Sequence, residues 1–349
     1  MQEIVEAFFL SAIETQEFSM ELFPEWIRAT LQNANCALGE KFLNVHTLLH
    51  DAGLDAVTRR AIYEQVQLTN RIEELCNGTA HLPESAINWD TELGKAINSL
   101  MSTLYSSLDL AVFRKDGEAG RPTHQLYSEF IKKNKYVCPF CGLSQFKNKR
   151  GARREDFDHY LHKSEYPLAA ANCKNLIPTC GICNQDYKKT KDILADGTAF
   201  YPYADIPKIK VEVNCNAYPA TNNFDDPGDW SVNLTLAAPD EAAVPKMNAW
   251  NRVYSIKKRL EDDIREFFEE WMEEVTDEHA FQIEEHEFVQ LITGARVRAR
   301  ERAERRVEPK QIIKEAFYDF ILNKADKAFR ESFRILQNNR YTSAVIDGV

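Results

Sequence analysis

Four of the eight cysteines, Cys138, Cys141, Cys180 and Cys183, fall into two C-x2-C pairs separated by 38 residues. Each pair forms a tight turn that presents two sulfurs to one ion, and four thiolates suit tetrahedral zinc. Two such pairs closing one compact segment argue for zinc over a redox C-x-x-C or two unrelated pairs of buried thiols. The surroundings, CPFCG and CGICN, have knuckle character. An all-sulfur site is coordinatively closed, so its role is structural rather than chemical. Cys173 has no pair partner and reads as a small buried residue. The residues able to do chemistry lie inside the loop, in DFDHYLHKSEYP, Asp156 to Pro167. There Asp158 directly precedes His159, and Lys163 follows. Asp and Lys are almost never fully buried unless paired, so this is not the composition of an ordinary buried strand.

The charge distribution sets this segment apart. The chain has 349 residues and a net charge of −11. Residues 1–130 carry 9 Lys/Arg and 19 Asp/Glu, residues 131–191 carry 13 and 5, and residues 192–349 carry 21 and 30. A basic island thus sits between two acidic flanks, and a local basic patch is what a polyanionic partner needs, whatever the total charge.

The elements that must position these residues are mostly helical. Leu93, Ile97, Leu100, Met101, Leu104 and Leu108 recur at three-to-four spacing, with Asp90 as N-cap. Ile62, Val66, Ile72 and Leu75 suit a helix from Ala56 to Cys76. KDGEAGRP, Lys115 to Pro122, is a turn or linker, and HQLYSEFIKKN is a short helix leading into the island. The stretch GLSQFKNKRGARREDFDHYL reads as a β-hairpin turning at Asn148–Arg154. Beyond the island and the Pro-aromatic stretch AFYPYADIP, KIKVEVN and WSVNLTL read as strands separated by NNFDDPGD. One long helix is expected from Pro245, with Trp250, Val253, Leu260, Ile264, Phe267, Trp271 and Val275 on its buried stripe. Two further helices end the chain, the last lined by Ile312, Phe317, Phe320, Phe329 and Phe333. The fold class is α+β and predominantly α-helical, divided into a helical region at 1–130, a central module at 131–205 and a mainly helical region with a β-hairpin at 206–349.

The order C-x-x-C, D-H, N-L-x-x-x-C-x-x-C-N-x-x-x-K, from Tyr136 to about Lys191, resembles the HNH endonuclease family. The resemblance implies a ββα-metal module in the centre of the chain. Within it, His159 is the general base, Asp158 and Asn184 hold one divalent metal, and Asn175 holds the motif loop through backbone hydrogen bonds. His162 stands where many members have Pro. A neutral imidazole with an ordinary pKa near 6.5 can take a proton from water around neutral pH. One carboxylate and one amide oxygen make a hard, incompletely filled site suited to Mg²⁺ or Mn²⁺. That ion would polarise the phosphate and stabilise the leaving 3′ oxygen. Lys147, Lys149, Arg150, Arg153, Arg154, Lys163 and Lys188 are the candidate phosphate contacts, together with Lys189 and Lys191.

DNA is therefore the expected partner. Stand-alone proteins of this sort also resemble HNH effectors of prokaryotic defence modules of the Septu type, which work with an ATPase. RNA cleavage is a rival reading, as is a non-catalytic zinc module that only binds nucleic acid or protein. The arginine-rich run ARVRARERAERR, Ala295 to Arg306, has interspersed Glu301 and Glu304 and reads as a solvated, ion-paired helix. No apolar run approaches a membrane span, and the first residues carry acids rather than a basic leader, so a cytoplasmic protein is expected.

Overall fold

A computed structural model of the chain describes residues 1–14, 17–33, 35–51, 53–113, 122–147, 154–217, 228–276, 283–331 and 334. The chain is mostly helical, with small two-stranded sheets. It divides into two units that interleave along the sequence: Met1–Lys133, Asp156–Ile206 and Pro245–Ala249 form one, and Asn134–Glu155, Pro207–Val244 and Trp250–Val349 the other.

The first unit contains helices α1 (Gln2–Glu14), α2 (Glu25–Leu31), α3 (Ala37–Asp51), α4 (Ala56–Thr69), α5 (Ile72–Asn77) and α6 (Glu92–Ser106), with α7 starting at Pro122 and running to Asn134. The apolar stripes of α1, α2, α3, α4 and α6 meet in one core around Phe8, Phe23, Phe42, Val45, Ile97 and Leu100. Leu168, Ala170 and Ala171, from the segment that follows His159, belong to the same core. The helix expected from Ala56 to Cys76 is broken, because the Asn70 side chain donates to the Val66 carbonyl (2.9 Å) and ends α4. Helix α6 is capped by Thr91, not Asp90; the Thr91 hydroxyl accepts from the Gly94 N–H (3.2 Å).

This unit also holds the strands β1 (Phe157–His159) and β2 (Leu176–Pro178), which pair antiparallel as Phe157 with Pro178, Asp158 with Ile177 and His159 with Leu176. The partner of β1 is therefore β2, not an upstream arm of a hairpin. The expected turn residues 148–153 lie outside the described residues, as does most of the linker expected at 115–122. The pairing follows from burial: β2 is buried at all three positions and needs a partner for its backbone. Thr179 N–H to the Asp156 carbonyl (3.3 Å) and Tyr160 N–H to the Asn175 carbonyl (2.8 Å) extend the ladder at both ends. The Pro-aromatic stretch backs this sheet. Tyr203 Oη donates to the Leu176 carbonyl (2.7 Å), Tyr201 Oη to the Lys174 carbonyl (3.2 Å), and Tyr160 Oη to the Phe200 carbonyl. A π-helix, Ile182–Lys188, follows β2.

In the second unit, β3 (Ile209–Ala217) and β4 (Asp229–Leu236) pair antiparallel. Trp230 is buried at the centre, with the rings of Phe268, Phe317, Phe320 and Phe329 at 5.4–6.2 Å. The helix expected to run unbroken from Pro245 is two helices, α8 (Ala243–Tyr254), whose residues Pro245–Ala249 are counted with the first unit, and α9 (Ile256–Thr276). Ser255 between them adopts φ +51°, and the Asn251 side chain accepts from the Lys257 N–H (2.8 Å) to cap the second. Helices α10 (Glu285–Arg305) and α11 (Gln311–Asn323) complete the unit. Phe333 lies outside the described residues. Among the described residues, no helix is long and apolar enough to cross a membrane.

Candidate active site and metal centre

The sulfurs of Cys138, Cys141, Cys180 and Cys183 all lie within 4.8 Å of one another, and all four residues are buried. Tetrahedral zinc with bonds near 2.3 Å separates its sulfurs by about 3.8 Å, so the cluster is compatible with a structural zinc site. Local backbone geometry favours thiolates. The Leu143 N–H points at Cys141 Sγ and the Cys183 N–H at Cys180 Sγ, each at 3.4 Å. In the first knuckle the Gly142 N–H closes the turn on the Cys138 carbonyl (2.9 Å) at φ +66°, a left-handed conformation that glycine adopts without strain. Trp250 Nε1 donates to the Phe140 carbonyl (2.7 Å), Tyr254 stacks on the Phe140 ring (4.7 Å), and the Lys310 N–H holds the Gly142 carbonyl (2.8 Å). Cys173 is exposed and stands apart from the four; the expectation of a small buried residue is corrected.

Asp158 sits mid-strand on β1, 3% exposed. Its Oδ1 accepts from Lys188 Nζ at 2.9 Å, while its Oδ2 is buried with no hydrogen-bond partner among the described residues. Burial pushes its pKa up to about 6, against the pull of the Lys188 ammonium. The same ammonium donates to the His159 carbonyl at 2.7 Å. Lys188 is completely buried, so it is not a solvent-facing phosphate contact. Its charge is spent on fastening the π-helix to β1.

His159 ends β1 and is 9% exposed. Its Nε2 lies 3.0 Å from the Ala170 carbonyl oxygen. A carbonyl only accepts, so neutral imidazole carries its proton on Nε2 and its lone pair on Nδ1. Burial lowers the His159 pKa to about 4, with Lys163, Lys188 and His162 adding to the effect. The Tyr105 ring, from α6, lies 4.6 Å from the imidazole at 57°.

Asn175 is fully buried and organises the segment between the strands. Its Oδ1 accepts from the Leu161 N–H (2.7 Å), and its Nδ2 donates to the carbonyls of Leu161 (3.0 Å) and Ala169 (3.2 Å). Asn184 lies on the π-helix four residues before Lys188, about one turn away, and is half-buried. The Lys189 N–H to Asn184 carbonyl bond (3.0 Å) is the i→i+5 contact that defines this wider helix. Such turns are rare and concentrate at functional sites.

The remaining basic candidates divide. Lys163 is exposed, and His162 beside it is half-buried, with Nδ1 accepting from the Ser164 N–H (3.3 Å). Lys147 is half exposed; its Nζ lies 3.6 Å from the buried Glu155 carboxylate, whose other oxygen accepts the Lys147 N–H (2.9 Å). Arg154 is half-buried, and Lys149, Arg150 and Arg153 lie outside the described residues. Three of the five arginines on α10 are ion-paired: Arg296 to Asp319 (2.7 Å), Arg300 to Glu315 (2.7 Å) and Arg302 to Glu308 (3.2 Å). Sequence reasoning missed Tyr105, Ala170 and the buried role of Lys188. The Lys of C-N-x-x-x-K was the one signal available; Tyr105 had none. Compared with family models, curated proteins and solved structures, the chain matches none.

Proposed function

We propose that this chain is a metal-dependent HNH endonuclease that hydrolyses DNA phosphodiester bonds, with His159 as general base. The observation that carries the reading is the His159 ring. Its Nε2 proton is committed to a carbonyl 3.0 Å away, which leaves Nδ1 as a lone-pair base. With its pKa lowered to about 4, the imidazole is neutral throughout the physiological range, its Nδ1 lone pair available, though it is a weaker base than an ordinary imidazole near 6.5.

One observation supports a divalent cation at Asp158. Asp158 Oδ2 is a buried carboxylate oxygen lacking a partner, which is costly unless something cationic or protic meets it. Asp158 and the Asn184 amide would hold Mg²⁺ or Mn²⁺, which supplies Lewis-acid stabilisation of phosphate charge and of the leaving 3′ oxygen. Lys188 keeps the Asp158 carboxylate and the His159 peptide at fixed separation, and Asn175 holds the loop that provides the Ala170 carbonyl. Zinc on the four cysteines acts structurally. Lys163, Lys147 and Arg154, with the basic residues between the last two, are the phosphate-contact candidates. Extended to the defence effectors it resembles, the reading includes an ATPase partner.

One observation favours the non-catalytic zinc module instead: Asp158 Oδ1 already has a cation, the Lys188 ammonium at 2.9 Å. Nicking of supercoiled plasmid by the wild type and His159→Ala, with Mg²⁺, Mn²⁺ or EDTA and a parallel RNA substrate, separates these readings. The nuclease reading expects EDTA-sensitive cutting that the substitution reduces by about a hundredfold or more. Equal cutting by both proteins would remove His159 from its role. Metal-dependent cutting of RNA alone would change the substrate, and no cutting of either would favour the binding module.

A further inference from the structure

The segment that follows His159 is built into the helical core of its own unit. Leu168, Ala170 and Ala171 share that core with Leu100, Met101 and Leu104 of α6. Asn172 is tied to the end of α4, its Nδ2 donating to the Asn70 Oδ1 (3.1 Å) and carbonyl (3.3 Å). The carbonyl that fixes the His159 tautomer therefore comes from a residue packed against α6. The next residue of that helix after Leu104 is Tyr105, whose ring meets the imidazole at 4.6 Å. The candidate base has the Ala170 carbonyl at its Nε2 and an aromatic ring against its side.

We propose that Tyr105 is a positioning residue for His159, so that α6 is part of the nuclease site rather than scaffolding around it. The proposal rests on the reading of His159 as the base. A half-turn of the imidazole about its Cβ–Cγ bond exchanges Nδ1 with Cδ2 and Nε2 with Cε1. It would break the bond to Ala170 and carry the lone pair to the other side. The carbonyl opposes this turn through one hydrogen bond, and the Tyr105 ring opposes it by occupying the space the imidazole must sweep. A small misplacement of a catalytic group is enough to cost about a hundredfold in rate.

Tyr105→Leu keeps an apolar side chain and removes the ring face, whereas Tyr105→Phe keeps the face. The test is made on the full zinc-loaded chain labelled with ¹⁵N-histidine, the His159 signals being assigned by their loss in His159→Gln. In the wild type and Tyr105→Phe, His159 is expected to show one tautomer, protonated at Nε2. In Tyr105→Leu the two nitrogen signals are expected to move toward each other as tautomers mix. Plasmid nicking with Mg²⁺ should fall about ten- to a hundredfold in kcat for Tyr105→Leu, with KM within twofold, and Tyr105→Phe should restore it. Wild-type signals and kcat in a folded Tyr105→Leu protein would overturn the proposal. Should that variant fail to fold by thermal melting, Tyr105→Met decides on the same criteria. Movement of the His159 signals without any nuclease activity in the wild type would uphold the contact and overturn the nuclease reading.

Discussion

Lys188 Nζ lies 2.9 Å from Asp158 Oδ1 and 2.7 Å from the His159 carbonyl oxygen, with no solvent exposure of its own. A lysine at the end of a π-helix thereby touches both residues of the Asp-His pair, the carboxylate of one and the peptide of the other. Breaking a buried pair from one side leaves a charge with no compensation in a low-dielectric site.

Lys188→Met is therefore expected to destabilise the chain by about 3–5 kcal/mol, measured by urea unfolding. The double variant Lys188→Met, Asp158→Leu should recover much of that loss, because an apolar pair has no charge to strand. A cost for Lys188→Met below about 0.5 kcal/mol, the behaviour of an ordinary surface residue, would contradict the buried pairing.

In metal-free protein, Asp158 and His159 are expected to work against each other as pH changes. Asp158 has its pKa raised from 3.8 to about 6, so the folded state binds its proton more tightly. Its contribution to stability falls as pH rises between those values and is constant above. His159 has its pKa lowered from 6.5 to about 4, so its contribution rises over that window and is lost on acidification. Each effect amounts to about 3 kcal/mol, and they nearly cancel. Relative to wild type, Asp158→Asn should become acid-labile between pH 6.5 and 4, whereas His159→Gln should gain stability over nearly the same range. Urea midpoints at several pH values read the two slopes; slopes of the same sign would refute the assignment.

Metal analysis of purified protein is expected to give about one zinc per chain. Cys141→Ser should reduce the zinc content and the Tm, and a strong chelator should lower the Tm of the wild type. Cys173→Ser, at an exposed position, should change neither.

Asn175→Ala removes the partner of the Leu161 N–H and of the Leu161 carbonyl, and one of the two donors to the Ala169 carbonyl, which keeps the Asn172 N–H (3.1 Å). Each buried backbone group left unpaired costs about 1–3 kcal/mol, so the variant should rank among the more destabilising single changes. Hydrogen exchange at the Leu161 amide supplies the local check: unchanged protection there would show that Asn175 does not hold the loop.

What was legible in the sequence was what short spacing and local periodicity encode. Two C-x2-C pairs announced a sulfur cluster because a tight turn brings both thiols of a pair together regardless of the surrounding fold. The stripe Leu93 to Leu104 announced α6, and alternation announced β3 and β4, since helix and strand periods are backbone properties. Breaks were harder to see. Ser255 interrupts an apolar stripe that continues past it, and Asn70 ends a helix through a side chain whose alternative was equally local. The strand pairing went astray for a similar reason: β1 is three residues long, and only tertiary burial selects Leu176–Pro178 over a nearer partner.

The electrostatic character of the site was decided by packing alone. Lys188 stands in a basic run and reads as a solvated cation; its long side chain is buried because the π-helix lies against β1. Tyr105 and Ala170 are far apart in sequence and carry no motif. They meet His159 because the same hydrophobic core takes in α6 and the segment between the strands. Residue types determine which protons and charges are available, while desolvation and hydrogen-bond partners, which exist only once the chain is folded, determine where those protons reside.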